Sequence, residues 1–465
     1  MTGIPLIIAF VIAIILMIYA ISKLRIHPFL SIMGISLLLG LVAGIPLTDV
    51  KENGVVVKQG LANVIGAGFS GTFTSIGIVI ILGALIGTIL EKTGGALKLA
   101  DMVVKLVGKK RPELAMMLMG WVVSIPVFCD SGFVILNPIR RALVRKTGIS
   151  DVAMAVALSG GLYISHVLIP PTPGPIAAAN TLGVGDNLLM VILYGVVCSI
   201  LPIIAGTMFA KYIGKRVKSN FEEGIDSGEV VKSYDELVKS YGRLPSGFMS
   251  LAPIIVPIIL MGISSIVSAV GMKGIWADIL LFLGTPIIAL AVGVIFSIIT
   301  LANAKKMSHF YELTNETLMV TGPILFVTAA GGVLGKVIAS TDLVNFITRN
   351  ATVFQAVGIF FPFLLSAILK TAQGSSTVAI TTTAGIVAPM LPVLGLDSPA
   401  RTVLTVMAIG AGSMVVSHAN DSYFWVVTNF GDMTPEKGYK TQTLLTLVQG
   451  IAAMIGIYIL SLFIR

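Results

Sequence analysis

The spacing of this chain's apolar runs decides its solvent before any other feature is weighed. A hydrocarbon core of ~30 Å needs about 20 apolar residues in a helix to cross it. Runs of that kind lie near 4–22, 28–46, 69–90, 151–168, 186–209, 250–270, 278–300, 317–340, 398–417 and 441–464, so ten crossings are expected. Composition agrees, since 56% of the 465 residues are hydrophobic and only 11% are charged, against roughly 25% charged in a soluble domain. The first run has no basic residue before it and no small-residue cleavage site after it, so it is read as a retained helix rather than a signal peptide. The fold class expected is an all-α polytopic membrane protein.

Charge is distributed along the chain as a topology signal. The net charge of +9 could suggest nucleic acid, but the basic residues fall at Lys23 and Arg25, Lys105 to Arg111, Arg140 to Lys146, Lys211 to Lys218, Lys305 and Lys306, and Lys437 and Lys440. Ten crossings put all of these loops on one side. Placing that side in the cytoplasm satisfies the positive-inside rule and leaves both termini outside. Lys51, Lys58, Lys273, Arg349, Arg401 and Arg465 remain on the far face. The two cysteines, Cys129 and Cys198, lie far apart in apolar surroundings and are expected to be buried thiols.

Two further apolar segments, near 113–146 and 354–391, must enter and leave on the same side for this topology to close. Each is interrupted by small and polar residues, Ser124-Ile-Pro-Val-Phe-Cys-Asp-Ser-Gly132 in the first and Lys370-Thr-Ala-Gln-Gly-Ser-Ser-Thr377 in the second. They are expected to be re-entrant hairpins, because irregular backbone survives at membrane depth only when buried in protein or lining a wet cavity. A repeated pattern follows each of them: Gly160 precedes Ser165-His166 as Gly412 precedes Ser417-His418. Upstream, Gly83-Ala-Leu-Ile-Gly87 is echoed by Gly331-Gly-Val-Leu-Gly335. The order of three helices, hairpin, broken helix and final helix therefore occurs twice, with five crossings per copy. An odd count inverts the second copy, the plan of secondary transporters that bind at the midplane. The expected units are 1–209 and 250–465, joined by a cytoplasmic linker at 210–249.

The helix breaks supply the candidate site. Pro170-Pro171-Thr172-Pro173-Gly174-Pro175 cannot continue a helix, and Ser417-His418-Ala419-Asn420-Asp421-Ser422 offers Asp421 or Ser422 as a cap for a new half-helix. Hairpin tips and breaks together should aim half-helix N-termini at one central region, which favours an anion such as a carboxylate. Lys370 adds a cation, and Ser131, Thr172, Ser375, Ser376, Thr377 and Asn420 can bond substrate hydroxyls. Gly132, Gly174 and Gly374 lie in the same breaks, and His166 and His418 can bond substrate or relay protons. Asp130 and Asp421 need a reason, because a mid-membrane carboxylate costs about 2.5–3.5 kcal/mol. Proton coupling is the reason adopted here. Sodium coupling through the oxygen-rich tips is the second reading.

Other signals lead nowhere. Gly66-Ala-Gly68-Phe-Ser-Gly71 matches a dinucleotide fingerprint but follows no strand, and no Walker A loop, paired-histidine zinc motif or Cys-x-x-Cys occurs. No cofactor and no metal site are expected, and no catalytic triad can be named for an enzyme. A passive channel is disfavoured because converging half-helices make a closed, saturable site.

These breaks carry a family resemblance. Ser165-His166 through Pro175, Gly374-Ser375-Ser376-Thr377-Val378-Ala379, and Ser417 through Ser422 leading into Phe424-Trp425 resemble the gluconate permease family of the ion transporter superfamily, end to end. The resemblance implies proton-coupled import of gluconate or related sugar acids, with relatives for glycerate-like acids and D-serine. It implies an inner-membrane homodimer with a scaffold and a moving transport domain. This chain departs from the family's usual glutamate at Asp130, histidine at Thr172 and arginine at Lys370.

Overall fold

The computed structural model describes residues 4–107, 111–220, 222, 243–342 and 357–464. Most of the expected linker, at 221 and 223–242, lies outside these residues, as do Lys109, Lys110, Arg349, Arg465 and the first residues of the second expected hairpin at 354–356. Among the described residues, nine helical stretches are long and apolar enough to cross a bilayer. The faces they turn outward carry Ile8, Ile15, Ile78, Ile204, Ile259 and Phe463. So much exposed hydrocarbon suits lipid rather than water.

Both interrupted segments fold as helical hairpins. Hairpin 1 pairs Pro112–Val123 with Cys129–Thr147, and hairpin 2 pairs Phe360–Gln373 with Ser376–Val387. Both breaks are present as well. Asp151–Leu168 stops before Pro170 and resumes as Pro173–Thr181, while Pro399–Met414 stops before Ser417 and resumes as Ser422–Phe430. The proline run ends the first helix because each proline removes a donor and clashes with the preceding turn. In the second, Asp421 Oδ1 accepts from the Tyr423 N–H at 3.1 Å and starts the new half-helix.

Several features depart from the sequence reading. The expected span at 278–300 is two helices, Ile275–Leu283 and Pro286–Asn303, parted at Gly284-Thr285, with Pro286 in the first turn of the second, where its missing N–H costs nothing. A strand pair, Val50–Glu52 with Val55–Lys58, and the amphipathic helix Gly95–Val107 were not expected. The strands turn at Asn53-Gly54, both at positive φ as a tight two-residue hairpin requires. Just before them, Asp49 accepts from the Gly60 N–H at 2.7 Å and from Asn63 at 2.8 Å beyond the second strand, which holds its pKa below the usual carboxylate value. Gly60 precedes Leu61–Thr93, which at 33 residues overruns the expected 69–90. Phe310–Ala339, at 30 residues, overruns 317–340 in the same way. At 1.5 Å per residue each is about 45–50 Å long, so both project beyond a ~30 Å core. The Gly66 to Gly71 pattern lies inside the first of these helices.

Packing is close where the sequence repeats its glycines. Every residue of Asp151–Leu168 is buried, and a Cβ at Gly161 would stand 1.9 Å from the Met117 carbonyl oxygen of hairpin 1. A Cβ at Gly412 would stand 2.2 Å from the Phe363 carbonyl of hairpin 2. At the base of hairpin 1, Arg140 is wholly buried rather than part of a solvated basic loop. It pairs with Asp151, donates to Asn137 Oδ1 at 2.7 Å and to the Phe430 carbonyl at 3.0 Å, and so clamps the hairpin to both broken helices. Both cysteines are free and buried, as expected.

Gly161→Ala should therefore lower the melting temperature of detergent-purified protein sharply. Gly34→Ala, at a helical position with nothing within 4 Å of the new methyl, should leave it unchanged or raise stability by up to about 1 kcal/mol.

Candidate functional site

The hairpin tips and the breaks meet around a cavity of about 550 Å³. Hairpin 1 contributes Phe128, Cys129, Asp130 and Ser131, and hairpin 2 contributes Gly374 to Val378. The first break gives Tyr163 and His166, and the second gives Asn420 to Tyr423. The two long helices close the remaining side with Ala84, Thr88 and Glu91, and with Glu316, Thr317 and Pro323.

Three helix N-termini border this cavity. Cys129–Thr147 begins at its wall. Ser376–Val387 begins at Ser375, whose hydroxyl accepts from the Val378 N–H at 3.3 Å. Ser422–Phe430 begins at Asp421. Backbone donors and the partial positive charge of such ends favour a negatively charged group there. Gly374 makes the meeting of hairpin 2 with the second break possible: it has φ +89°, and a Cβ would fall 2.1 Å from the Asn420 carbonyl oxygen. Across that contact the Thr371 carbonyl accepts from Asn420 Nδ2 at 2.9 Å and lies 2.9 Å from His418 Nε2.

The acids of the cavity are not alike. Asp421 is bound to Lys370 at 2.6 Å and to the Ser417 hydroxyl at 2.5 Å. Glu316 pairs with Lys92 at 3.3 Å. Glu91 lines the cavity from a long helix, as Ser131 does from the tip of hairpin 1. Asp130 faces no cation partner among the described residues, and its Oδ1 is buried with no hydrogen bond. His166 Nδ1 is buried and unbonded too, with its ring stacked 6.4 Å from Tyr163.

This arrangement has relatives. The chain matches the GntP family permease over residues 4–463. It belongs to that family. An uncharacterized permease of Haemophilus influenzae is 35% identical over 437 residues, covering 92% of this chain and 86% of that one. A gluconate permease of Pseudomonas aeruginosa is 29% identical over 453 residues, covering 96% and 95%. Among solved structures, the YdaH transporter of Alcanivorax borkumensis shares the fold with a TM-score of 0.62 at 16% identity, covering 94% of this chain and 97% of that one. This GntP family member is thus a multi-pass membrane transport protein rather than an enzyme.

Nine of the fourteen residues singled out from the permease sequence line the cavity: Asp130, Ser131, His166, Gly374, Ser375, Ser376, Thr377, Asn420 and Asp421. The other five stand away from it. Lys370 is wholly buried behind the tip, bonded to Asp421 and the Gly374 carbonyl. Thr172 spends its hydroxyl on the Ile169 carbonyl at 2.6 Å, and a Cβ on Gly174 would meet Ile380, one on Gly132 Leu162. His418 is turned to Thr371. The fourth half-helix N-terminus, at Thr172–Pro173, therefore does not join the other three. Glu91, Thr88, Glu316, Thr317, Tyr163 and Tyr423 line the cavity without having been anticipated. The expected spans ended at 90 and began at 317, one residue short of each glutamate.

Thr172→Val should cost about 1 kcal/mol of stability while leaving solute affinity within about twofold. Ser376→Ala should weaken affinity with little change in melting temperature; equal effects of the two on affinity would contradict this assignment.

Proposed function

We propose that this permease imports gluconate or a related small hydroxycarboxylate as a proton symporter, by alternating access of an elevator type. The observation that carries the reading is the cavity itself, about 550 Å³, bordered by three helix N-termini suited to a carboxylate, one of which bears an unpaired acid, Asp130, in its first turn. A cavity of that volume accommodates a six-carbon sugar acid, since small-ligand sites run from about 300 to 1,000 Å³. Gluconate is also the solute named for the Pseudomonas aeruginosa relative.

Asp130 is the coupling acid in this reading. Protonated, it is neutral and can donate to the solute; ionised, it repels the solute's carboxylate, so proton and anion enter and leave together. Asp421 is already neutralised by Lys370. Sodium coupling is the second reading, favoured by the oxygen-rich tip at Ser375, Ser376 and Thr377 beside Asn420.

Two hairpins and two broken helices, each pair in the same chain order, support an inverted repeat of 1–209 and 250–465. In this scheme the long helices belong to the scaffold, the hairpins and broken helices move, and two chains assemble as a homodimer in the inner membrane. With both termini outside, the cavity reaches exposed His27 and the Lys92–Glu316 pair on the cytoplasmic side. The conformation is then inward-facing.

Proteoliposomes given labelled gluconate test this. Accumulation should follow an imposed pH gradient, and uptake driven by sodium alone at fixed pH would transfer the coupling to sodium. Asp130→Asn should lose accumulation while keeping gluconate counterflow; undiminished accumulation would remove Asp130 from the mechanism.

A further inference from the structure

Lys370 sits at the end of the first arm of hairpin 2 and has no exposed surface. Its ammonium donates to Asp421 Oδ2 at 2.6 Å and to the Gly374 carbonyl, and lies 5.8 Å from the centre of the Tyr163 ring. Asp421 is equally committed. Oδ2 also accepts from Ser417 Oγ at 2.5 Å, and Oδ1 accepts from the Tyr423 N–H at 3.1 Å. The two residues belong to different elements, the hairpin 2 tip and the cap of the second half-helix. Both elements place an N-terminus on the cavity.

We propose that Lys370 is a positioning residue: its ion pair with Asp421 locks the hairpin 2 tip to the second helix break, presetting two helix N-termini as one anion cradle, and its ammonium does not touch the solute. An entering carboxylate could recruit Lys370 only by displacing Asp421, leaving that carboxylate buried and unpaired. Stranding one charge of a buried pair is far more costly than removing both. Lys370 is therefore read through the geometry it imposes. The solute meets the backbone donors and hydroxyls of 375–377 instead.

The proposal rests on the carboxylate reading above only for its probe, labelled gluconate. Lys370→Met, Asp421→Asn and the double variant are compared in full-length protein by gluconate counterflow and by melting temperature. Each single substitution should slow exchange strongly, and the double variant should exchange at least about tenfold faster than either, as coupled partners do. Its half-saturation concentration should stay within about threefold of the unmodified protein. A double variant no faster than Lys370→Met, with half-saturation raised in both, would show that the ammonium binds solute and overturn the proposal. If the unmodified protein does not exchange gluconate, the substrate reading fails and the lock is judged by stability alone. It then stands if the double variant melts above both single variants and falls if it melts no higher than Lys370→Met. Should neither single variant fold, folding of the double supports the lock, and its failure overturns it.

Discussion

A helix interrupted inside an apolar body exposes N–H and C=O groups that no water can reach, and each one left unanswered costs several kcal/mol. Four such interruptions meet or flank one cavity here, and most of the polar residues near them answer their own backbone. Ser124 donates to the Val127 carbonyl at 2.9 Å and Thr172 to Ile169 at 2.6 Å. Trp425 Nε1 donates to Ala419 at 2.8 Å. Ser375 and Asp421 each cap the helix that follows them. Asp130 Oδ1 and His166 Nδ1 are left over, buried and unbonded at the cavity wall. Under the proposed function, these two are the side-chain groups that backbone repair leaves over for proton coupling or solute contact.

Charge is segregated by the same logic. Arg140 with Asp151 at the base of hairpin 1, and Lys370 with Asp421 behind the tip of hairpin 2, are both buried pairs that join separate elements. Neither pair leaves a net charge in the protein interior. Near the exposed mouth, Lys92 and Glu316 join the two long helices in a half-exposed pair, which screening by solvent makes weak and easily remade.

Much of the fold was legible because hydropathy is a one-dimensional signal: most span positions, both hairpins and both breaks follow from apolar runs interrupted by proline, glycine and serine. What the sequence could not show was direction. Lys370 read as a cation aimed at substrate, and only the three-dimensional meeting of Gly374 with Asn420 brings Asp421 close enough to claim it. Glu91 and Glu316 read as loop boundaries because a charge at the end of an apolar run marks an interface, yet both helices run on past the charge and carry it into the cavity wall. The strand pair was legible in Asn53-Gly54 and was overshadowed by the hydropathy around it. Arg140 was grouped with its basic neighbours, since nothing local distinguishes a buried arginine from a solvated one.

Four glycines of the two long helices have a backbone carbonyl oxygen of a hairpin or of the first break as their nearest neighbour. A Cβ at Gly83 would meet the Pro171 carbonyl at 2.9 Å and one at Gly87 the Pro126 carbonyl at 2.0 Å, while Gly331 and Gly335 lie against Thr381 and Gly385 of hairpin 2. A contact of this kind has no knobs seated in holes, so sliding along it does not require side chains to unseat and reseat at every turn. Under the proposed movement it would act as a plain bearing, close-fitting across its width yet without detents along its length. Intermediate positions of the moving part would then be shallow, and the resting places would be set at the ends of travel, by the tips and whatever they hold.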